Sequence, residues 1–516
     1  MEDRELAQAR EIGGAWEQRV LRRREFLQRT ASVAGLAGMA TLLPANALIA
    51  QAARAQRSAL PGPSNMELDH VVILMMENRS YDHYFGWLPG ADGVQDVTYR
   101  NAQGQDVPTR HFDQLAGDAD FQGCGHPDPG HGWDAGRVQL QSGFIANGSG
   151  NDEFALTYYN EGELGFIHDA AKAYTIYDRF FCSLLGPTWP NRYYKWSAQS
   201  GGLKDNSPPV ATLGNQWETI FDRALANNPT NLPLPNALRA NYYASDLPFA
   251  AVWGPRAVPW CRPAAEFFVD CAAGLLPNIS IIDPPFRDGG GFDGNSADEH
   301  PHGDVRLGQA FMADVVNAFV ESPQYRRGAL FVVYDEWGGF FDHVTPPKAP
   351  DNRMSANLDE DFGQRGFRIP AVAVSPWTRN SGGAARVASD VYGFESILKL
   401  ISYRFGLGTL NLNGPNDPSV KNLRHETARN IGESFDWDHP VFEPPTLPDP
   451  EYIVSKPCTL GGGDILTQES AADHAGDLAD LAGLAKRFGF PIYDSGPAQL
   501  FRKPDAVRRA FRPAGR

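Results

Sequence analysis

Four short apolar runs, each followed directly by polar side chains, constrain the fold of this 516-residue chain more than any other feature. Runs of this length that are rich in Val and Ile are typical of strands buried on both faces, as in a parallel sheet. Segments with helical hydrophobic spacing lie between them. Strands are predicted at 71–76, 279–282, 329–334 and 371–374, and helices at 167–185, 306–321 and 394–405. The alternation predicts an α/β fold, a mostly parallel sheet covered by helices on both faces.

Two long stretches, 97–165 and 201–275, lack this alternation and are rich in Gly, Pro, Asn and aromatic residues. We predict that they are loop excursions that form the rim of a pocket. In open α/β sheets, ligands bind at the carboxyl ends of the strands. The polar residues that follow the four apolar runs are therefore the first candidates for a functional site.

The domain organisation follows from the same patterns. We predict a catalytic domain at 65–440. A proline-rich stretch at 444–450 predicts a linker, and helical spacing continues at 471–488. We therefore assign 441–516 to a C-terminal extension, a linker plus a helix packed on the core.

The first 56 residues contain the features of an export signal in the expected order. Arg23 and Arg24 precede a weakly apolar stretch at 31–43, and small residues suited to cleavage follow it. We predict a twin-arginine signal peptide at 1–56, recognised by the twin-arginine translocation machinery, and a secreted, periplasmic or cell-surface protein. A short amphipathic helix with fortuitous arginines is the alternative. Export would permit oxidation, so Cys261 and Cys271 are expected either to form a bridge or to remain as two buried thiols.

The charge balance restricts the partners. Lys and Arg total 46 against 62 Asp and Glu, which gives a formal net charge of -16. Nucleic acids and anionic bilayers are bound through clustered basic residues, so we expect no nucleic-acid partner and no docking through a broad basic patch. No apolar segment reaches the ~20 residues of a membrane span, so no transmembrane span is expected.

Two pairs of side chains with oxygen donors follow two of the predicted strands, and each pair includes at least one carboxylate. Glu77 and Asn78 come directly after the first run, and Asp335 and Glu336 directly after the third. Carboxylates at two strand ends would repel each other unless a cation lay between them. Oxygen ligands favour Mg, Ca or Mn, and nearby histidines would admit Zn. For the first pair, a turn with Glu77 merely solvated is the alternative.

A candidate nucleophile lies in the segment Gly-Pro-Thr-Trp-Pro-Asn-Arg at 186–192, where Thr188 is positioned to begin a helix. A hydroxyl at a helix N-terminus beside a metal can ionise and attack phosphorus, since the N–H dipoles stabilise the developing charge. The alternative is that Thr188 is only an N-cap.

Two histidines are candidates for acid–base chemistry. His300 lies in the segment 298–304, which contains three carboxylates and two imidazoles, and His131 lies beside an aromatic residue. Histidine in such a setting serves as a metal ligand, an oxyanion partner or a general acid.

Together these motifs resemble the bacterial phosphoesterase family that includes exported phospholipases C and a related acid phosphatase. The matching segments occur in the family's order, at 77–86, 186–192, 299–301, 334–336 and 338–347. The similarity runs from about Asp69 to Leu407, and the family looks like a branch of the alkaline phosphatase superfamily, which implies an alkaline-phosphatase-like core. One departure is that Gly393-Phe394 stands where family members often carry Asp-His.

The resemblance implies roles for the matching residues. The metal ligands would be Glu77, Asn78, Asp335 and Glu336. Thr188 would be the phosphorylated nucleophile, and His131 and His300 would contact the phosphoryl group or the leaving group. From the same motifs we predict that the substrate-binding residues are Asn191, Arg192 and His343.

We predict an exported phosphoric ester hydrolase that depends on a divalent metal (Ca, Mg, Mn or Zn). It is expected to be a phospholipase C that cleaves phospholipids such as phosphatidylcholine to diacylglycerol and a phosphorylated headgroup, through a phosphothreonine intermediate. The first alternative is a phosphomonoesterase of the acid phosphatase type with the same machinery. The second is an inactive lipid- or surface-binding module.

Overall fold

The computed structural model describes residues 59–113, 120–210, 212–286, 296–380, 382, 385–453 and 465–493. The signal peptide predicted at 1–56 lies outside these residues. It stays a prediction, as do the domain boundaries.

Twelve strands lie within the described residues. They are β1 (His70–Met76), β2 (Thr98–Arg100), β3 (Asp106–Pro108), β4 (Arg110–His111), β5 (Thr157–Tyr158), β6 (Thr175–Tyr177), β7 (Ala240–Ala244), β8 (Cys261–Pro263), β9 (Ile279–Asp283), β10 (Gly328–Tyr334), β11 (Ala371–Val374) and β12 (Arg386–Ala388). Eight of them form one sheet in the order β12-β6-β11-β10-β1-β9-β7-β8. Five of its seven pairings are parallel. The predicted α/β class with a mostly parallel sheet is confirmed.

All four predicted strands are present, as β1, β9, β10 and β11, and nearly all of their residues are buried. β1 pairs in parallel with β10 on one side and with β9 on the other. The chain therefore leaves these three strands at the same edge of the sheet. β11 runs antiparallel to β10, so Ser375, which follows β11, lies at the opposite edge, where its Oγ donates to the carbonyl of Gly328. The expectation that all four runs end at one site is wrong for β11.

Ten α-helices lie within the described residues. They are α1 (Tyr81–Phe85), α2 (Trp133–Ser142), α3 (Ile167–Ala173), α4 (Thr188–Ser197), α5 (Ile220–Ala224), α6 (Ala264–Ala273), α7 (Val305–Glu321), α8 (Phe394–Phe405), α9 (Leu423–Thr427) and α10 (Ile465–Phe488). Short 3₁₀ turns lie at Glu153–Leu156, Phe249–Trp253, Pro255–Trp260, Pro323–Arg327, Leu358–Glu360, Pro376–Thr378 and Ile431–Ser434. α3 packs against β6 and β11, α6 against β7, β8 and β9, and α7 against β10.

The helices predicted at 306–321 and 394–405 are confirmed as α7 and α8. The helix predicted at 167–185 is wrong beyond Ala173, because the next residues form the strand β6. Its Thr-Ile-Tyr sequence combines β-branched and aromatic residues that fit a pleated surface, and sheet pairing overrides the helical spacing.

The segment 201–275 is not only a loop excursion, because β7 and β8 extend the sheet from it. The sequence of β7, Ala-Asn-Tyr-Tyr-Ala, lacks the Val and Ile that reveal the other strands.

Cys261 and Cys271 are buried free thiols, so the bridge considered for them is wrong. The C-terminal helix α10 ends at Phe488 as predicted and packs against the 3₁₀ turn Phe249–Trp253. Within the described residues, no helix combines the length and the hydropathy needed to cross a membrane.

Candidate active site

The parallel register of β1 and β10 brings the two pairs of residues that follow these strands together. The backbone N–H of Asn78 donates to Asp335 Oδ1 at 3.0 Å, and the N–H of Glu336 donates to the same oxygen at 2.7 Å. All four side chains are buried. We call Glu77, Asn78, Asp335 and Glu336 the strand-end cluster.

The two turns that carry this cluster are in close backbone contact. Asn78 has a φ of 60° and Gly338 has a φ of 62°, the left-handed region that Asn and Gly tolerate best. A Cβ atom at Gly338 would lie 2.0 Å from the carbonyl oxygen of Asn78, and the N–H of Arg79 donates to the carbonyl of Glu336 at 3.1 Å. Only a glycine allows this approach, so the turn after β10 fixes the turn after β1.

The strand-end cluster contains buried oxygen atoms that accept no hydrogen bond. They are Glu77 Oε2, Asn78 Oδ1, Asp335 Oδ2 and Glu336 Oε1. Burial raises the pKa of Glu77 and of Glu336 well above the usual range, because a desolvated carboxylate without a cation is costly. Buried oxygen atoms that lack a hydrogen-bond donor are suited to bind a divalent metal ion. The four residues therefore fit the metal site predicted for them.

Arg192 lies against the cluster, and its contacts are with carboxylates. Its Nη2 lies 2.9 Å from Glu77 Oε1, its Nη1 3.1 Å from Asp283 Oδ1, and its Nε 3.5 Å from Asp335 Oδ2. Lys195, one helical turn further on, donates to Asp283 Oδ1 at 2.8 Å. Burial lowers the pKa of Lys195 to about 8, although Asp283 partly offsets this. Arg192, predicted to bind substrate, is thus placed to hold the acidic side chains in position.

Thr188 is the first residue of α4, and Pro187 occupies the N-cap position without a side-chain cap. The interpretation of Thr188 as an N-cap is therefore wrong. The side chain of Asn191 is buried, and its Nδ2 donates to the carbonyls of Leu184, Gly186 and Pro187 at 3.0, 2.8 and 3.3 Å. These bonds fix the loop that leads into Thr188, so the geometry favours a positioning role for Asn191. Arg192 is one turn after Thr188, which places the start of α4 beside the strand-end cluster.

The two candidate histidines lie at the same site, and their pKa values are shifted in opposite directions. His131 Nδ1 lies 3.3 Å from Asn78 Nδ2 and 3.8 Å from Glu336 Oε1, and its ring centroid lies 6.5 Å from that of His300. Burial lowers the pKa of His131. Burial also opposes charge on His300, but Asp128, with Oδ2 3.2 Å from His300 Nε2, acts together with Asp298 and Glu77 to raise the pKa of His300 to about 9. Two neighbouring groups with diverging pKa values suit opposite proton-transfer roles.

Glu299 holds the loop that carries His300. It has a φ of 73°, and its carboxylate accepts hydrogen bonds from Tyr84 Oη at 2.8 Å, Tyr334 Oη at 2.5 Å and Gln309 Nε2 at 2.8 Å. A non-glycine residue in this region stores strain that its surroundings must offset, as is common at functional sites. Three donors to one buried carboxylate supply that restraint.

His343 belongs to a different cluster. It contacts Asp82 and Asp92, and the ligand atoms of Asp82, Asp342 and His343 lie within 4.8 Å of one another. However, the buried Arg368 donates to Asp342 at 2.9 Å and to Asp82 at 3.0 Å. The Arg368 guanidinium and the His343 imidazole, whose pKa Asp82 and Asp92 raise to about 9 against the effect of burial, together balance the Asp82 and Asp342 carboxylates, so we regard the group as an ion-pair network and not as the metal site. Within the described residues, the structure does not bring His343 to the strand-end cluster.

Three residues of the site received no role from the sequence. Asp283, the last residue of β9, follows the apolar run 279–282 and was a candidate only by that position. Lys195 is seven residues after Thr188, which is two helical turns. Asp128 lies in a stretch without regular spacing and carries no comparable signal.

Gly393, which with Phe394 stands where family members often carry Asp-His, has a structural explanation. The buried side chain of Glu395 binds Arg365 and accepts a hydrogen bond from Ser183 Oγ at 2.6 Å. A Cβ atom at Gly393 would lie 2.3 Å from Arg365 Nη1. Glycine at this position therefore leaves room for the buried ion pair.

The chain matches a family of known proteins over most of its length. Residues 68–408 match the Phosphoesterase family. The chain is 28% identical to the non-hemolytic phospholipase C of Pseudomonas aeruginosa over 83% of this chain and 65% of that protein. It is 30% identical to the non-specific phospholipase C6 of Arabidopsis thaliana, over 66% of this chain and 68% of that protein. Phospholipase C A of Mycobacterium tuberculosis is 28% identical over 78% of this chain and 84% of that protein.

A solved structure of an alkaline phosphatase superfamily protein from Vibrio parahaemolyticus has a TM-score of 0.33 and 7% identity, and the match covers 73% of this chain and 72% of that one. The family match spans most of the chain and contains the strand-end cluster, the start of α4 and both histidines. The resemblance found in the sequence is thereby confirmed. The chain belongs to the phosphoesterase family, a family of phosphoric ester hydrolases.

Proposed function

We propose that this protein is a metal-dependent phospholipase C that cleaves the phosphate ester of a phospholipid through a phosphothreonine at residue 188. The observation that carries the proposal is the strand-end cluster, in which one buried oxygen atom of each of the four side chains accepts no hydrogen bond, beside the start of a helix that opens with a hydroxyl. The phospholipases C among its relatives support the substrate class.

The metal would be held by Glu77, Asn78, Asp335 and Glu336. When bound, it would supply Lewis-acid stabilisation of phosphoryl charge and lower the pKa of the attacking hydroxyl. Arg192 keeps Glu77 and Asp335 in position through its ion pairs. Because the site is buried, such fixed charges act more strongly than they would in water.

Thr188 Oγ would attack phosphorus in line with the leaving glycerol oxygen. The bond from Thr188 Oγ to phosphorus forms as the bond to the glycerol oxygen breaks. As this happens, the neutral His131 takes the proton of the Thr188 hydroxyl, and the cationic His300 gives its proton to the glycerol oxygen. The resulting phosphothreonine still carries the headgroup on its phosphate. Water would then attack its phosphorus and give a proton to the now neutral His300, while the bond to Thr188 Oγ breaks and His131 returns its proton to that oxygen, which restores Thr188 and releases the phosphorylated headgroup.

We propose export by the twin-arginine route on the basis of the N-terminal sequence. Replacing both Arg23 and Arg24 with Lys is expected to retain the precursor in the cytoplasm. Cell fractionation measures this, and unchanged export of the double variant would contradict the route.

A substrate panel tests the function. Purified protein is assayed on phosphatidylcholine, p-nitrophenyl phosphorylcholine and p-nitrophenyl phosphate, with and without chelator. We expect the two diesters to be hydrolysed and the activity to be lost with chelator and restored by a divalent cation. Preference for the monoester would favour the phosphomonoesterase. No hydrolysis of any of the three, with metal bound, would favour the inactive binding module.

A further inference from the structure

The first turn of α4 is held by a hydrogen-bond acceptor from outside the helix. Pro187 at the N-cap position provides no side-chain cap, so the first N–H groups of the helix need acceptors from elsewhere. Asn206 supplies one, because its Oδ1 accepts a hydrogen bond from the backbone N–H of Trp189 at 2.8 Å. Trp189 directly follows Thr188, the proposed nucleophile. The side chain of Asn206 therefore restrains the backbone that carries the attacking hydroxyl.

The amide group of Asn206 is itself held by the C-terminal helix α10. Its Nδ2 donates to Asp477 Oδ2 at 2.6 Å. An ionised carboxylate can only accept hydrogen bonds, so Asp477 binds the NH₂ side of the amide and leaves Oδ1 to face the N–H of Trp189. The two hydrogen bonds form a chain of contacts from Asp477 through Asn206 to the residue after the nucleophile.

Asp477 lies on the side of α10 that packs against the protein. Leu481 and Leu484, four and seven residues after it, are buried, and this spacing places the three residues on one face of a helix. Asp480 is exposed. Burial of the apolar face fixes the position of α10, and with it the position of the Asp477 carboxylate.

The same helix supports α4 through apolar contacts. α10 packs against the 3₁₀ turn Phe249–Trp253. The centroid of the Phe249 ring lies 5.8 Å from that of Trp189 and 5.6 Å from that of Tyr193, two residues of α4. α10 therefore contacts α4 indirectly by two routes, a polar one through Asn206 and an apolar one through Phe249.

We propose that Asn206 is a positioning residue for the Thr188 hydroxyl and that Asp477 acts through Asn206, so that the C-terminal helix contributes to the turnover rate. The inference rests on the proposed function, in which Thr188 is the nucleophile. It gives a role to α10, which begins at Ile465 and lies outside the family match at 68–408. A small displacement of an attacking group is costly to the rate, so loss of these contacts should lower kcat and leave KM unchanged.

The experiment is a double-mutant cycle on the purified protein, with steady-state hydrolysis of p-nitrophenyl phosphorylcholine and a melting curve for each variant. Asn206→Ala removes both hydrogen bonds and is expected to lower kcat by roughly 10-fold with KM unchanged. Asp477→Ala removes only the bond that orients the amide, so kcat is expected to fall by roughly 3-fold. Because Asp477 acts through Asn206, the double variant should lose roughly 10-fold and not roughly 30-fold.

Two further variants separate positioning from a general disturbance of the helix. Asp477→Asn keeps an oxygen that can accept from Asn206, so its kcat should stay within roughly 2-fold of wild type. Asp480→Ala, the matched control, removes an exposed carboxylate of the same helix and should not change kcat.

The outcomes distinguish this inference from the proposed function. Losses in kcat that multiply in the double variant, or an equal loss in Asp480→Ala, would overturn the role of Asp477 and Asn206 while the wild-type activity stands. A rise in KM with unchanged kcat in Asn206→Ala would also overturn it. If the wild-type protein hydrolyses neither this ester nor phosphatidylcholine, the proposed function fails and this inference fails with it.

Discussion

Asp128 and His300 form a buried pair in which Oδ2 of the carboxylate lies 3.2 Å from Nε2 of the imidazole. Burial lowers the pKa of His300, but Asp128, with further contributions from Asp298 and Glu77, raises it to about 9. His300 is therefore protonated at neutral pH, and the acid it supplies is lost as the pH rises through about 9.

The first prediction concerns this pH dependence. Asp128→Asn removes the charge that favours protonated His300, so the alkaline fall in kcat/KM should move to lower pH. A pH profile of wild type and variant measures the shift. Asp436→Asn, next to the exposed His439, is the matched control and should leave the profile unchanged. An unmoved alkaline limb in Asp128→Asn would contradict the assignment of His300 as the acid.

The second prediction concerns the turn after β10. Gly338→Ala would place a Cβ atom 2.0 Å from the carbonyl oxygen of Asn78, so it should displace the strand-end cluster and cost about 2–4 kcal/mol of unfolding free energy. Gly104→Ala is the control, because Gly104 also has a positive φ of 74° but nothing within 4 Å. It should cost only about 1 kcal/mol. Equal losses in denaturant unfolding would show that backbone strain alone is responsible.

The third prediction separates two roles of Asn191. Asn191→Ala removes the donor of the buried Gly186 carbonyl and one of the donors of the Leu184 carbonyl, which should cost about 1–3 kcal/mol of stability. It should also lower kcat, because the loop before Thr188 loses its restraint. Melting curves and steady-state kinetics measure both effects. A raised KM with unchanged stability and kcat would instead support direct substrate binding.

The fourth prediction distinguishes the two acidic clusters. Asp335→Asn should weaken metal binding, with part of the activity recovered at high cation concentration. His343→Ala should retain the metal, because Arg368 neutralises the carboxylates around it. Elemental analysis of both purified variants decides the matter. Loss of the metal from His343→Ala alone would move the site to Asp82 and Asp342.

The sequence predicted the parts of this account that depend on local pattern. The buried runs predicted β1, β9, β10 and β11, and the residues after β1 and β10 meet as expected because parallel strands end at one edge. The direction of β11 was not predictable, because an apolar run has the same appearance in either direction. β7 was missed because its sequence lacks the Val and Ile of the other strands, and its tyrosines are buried with their hydroxyls bonded to Asp283 and Asp270, contacts that only the fold brings about.

Motifs identified the candidate residues better than their roles. Asn191, Arg192 and His343 were all predicted to bind substrate. The geometry directs Asn191 to backbone carbonyls, Arg192 to three carboxylates and His343 to a separate ion-pair network. Such assignments depend on contacts between segments far apart in the chain, such as that between Arg192 and Glu77, and a motif does not record them.

The fifth prediction, and the most direct test of the central claim, is acid-quench analysis of the enzyme during turnover. Thr188 is half-buried and makes no cap bond, so Thr188→Val should preserve the fold while it removes the attacking oxygen. With a phospholipid substrate, we expect wild type to yield a peptide that carries the headgroup phosphate as an ester on residue 188. Thr188→Val should yield none, with turnover lower by several orders of magnitude, and Thr98→Val, an exposed strand threonine, should behave as wild type. Near-native turnover of Thr188→Val would contradict the covalent mechanism.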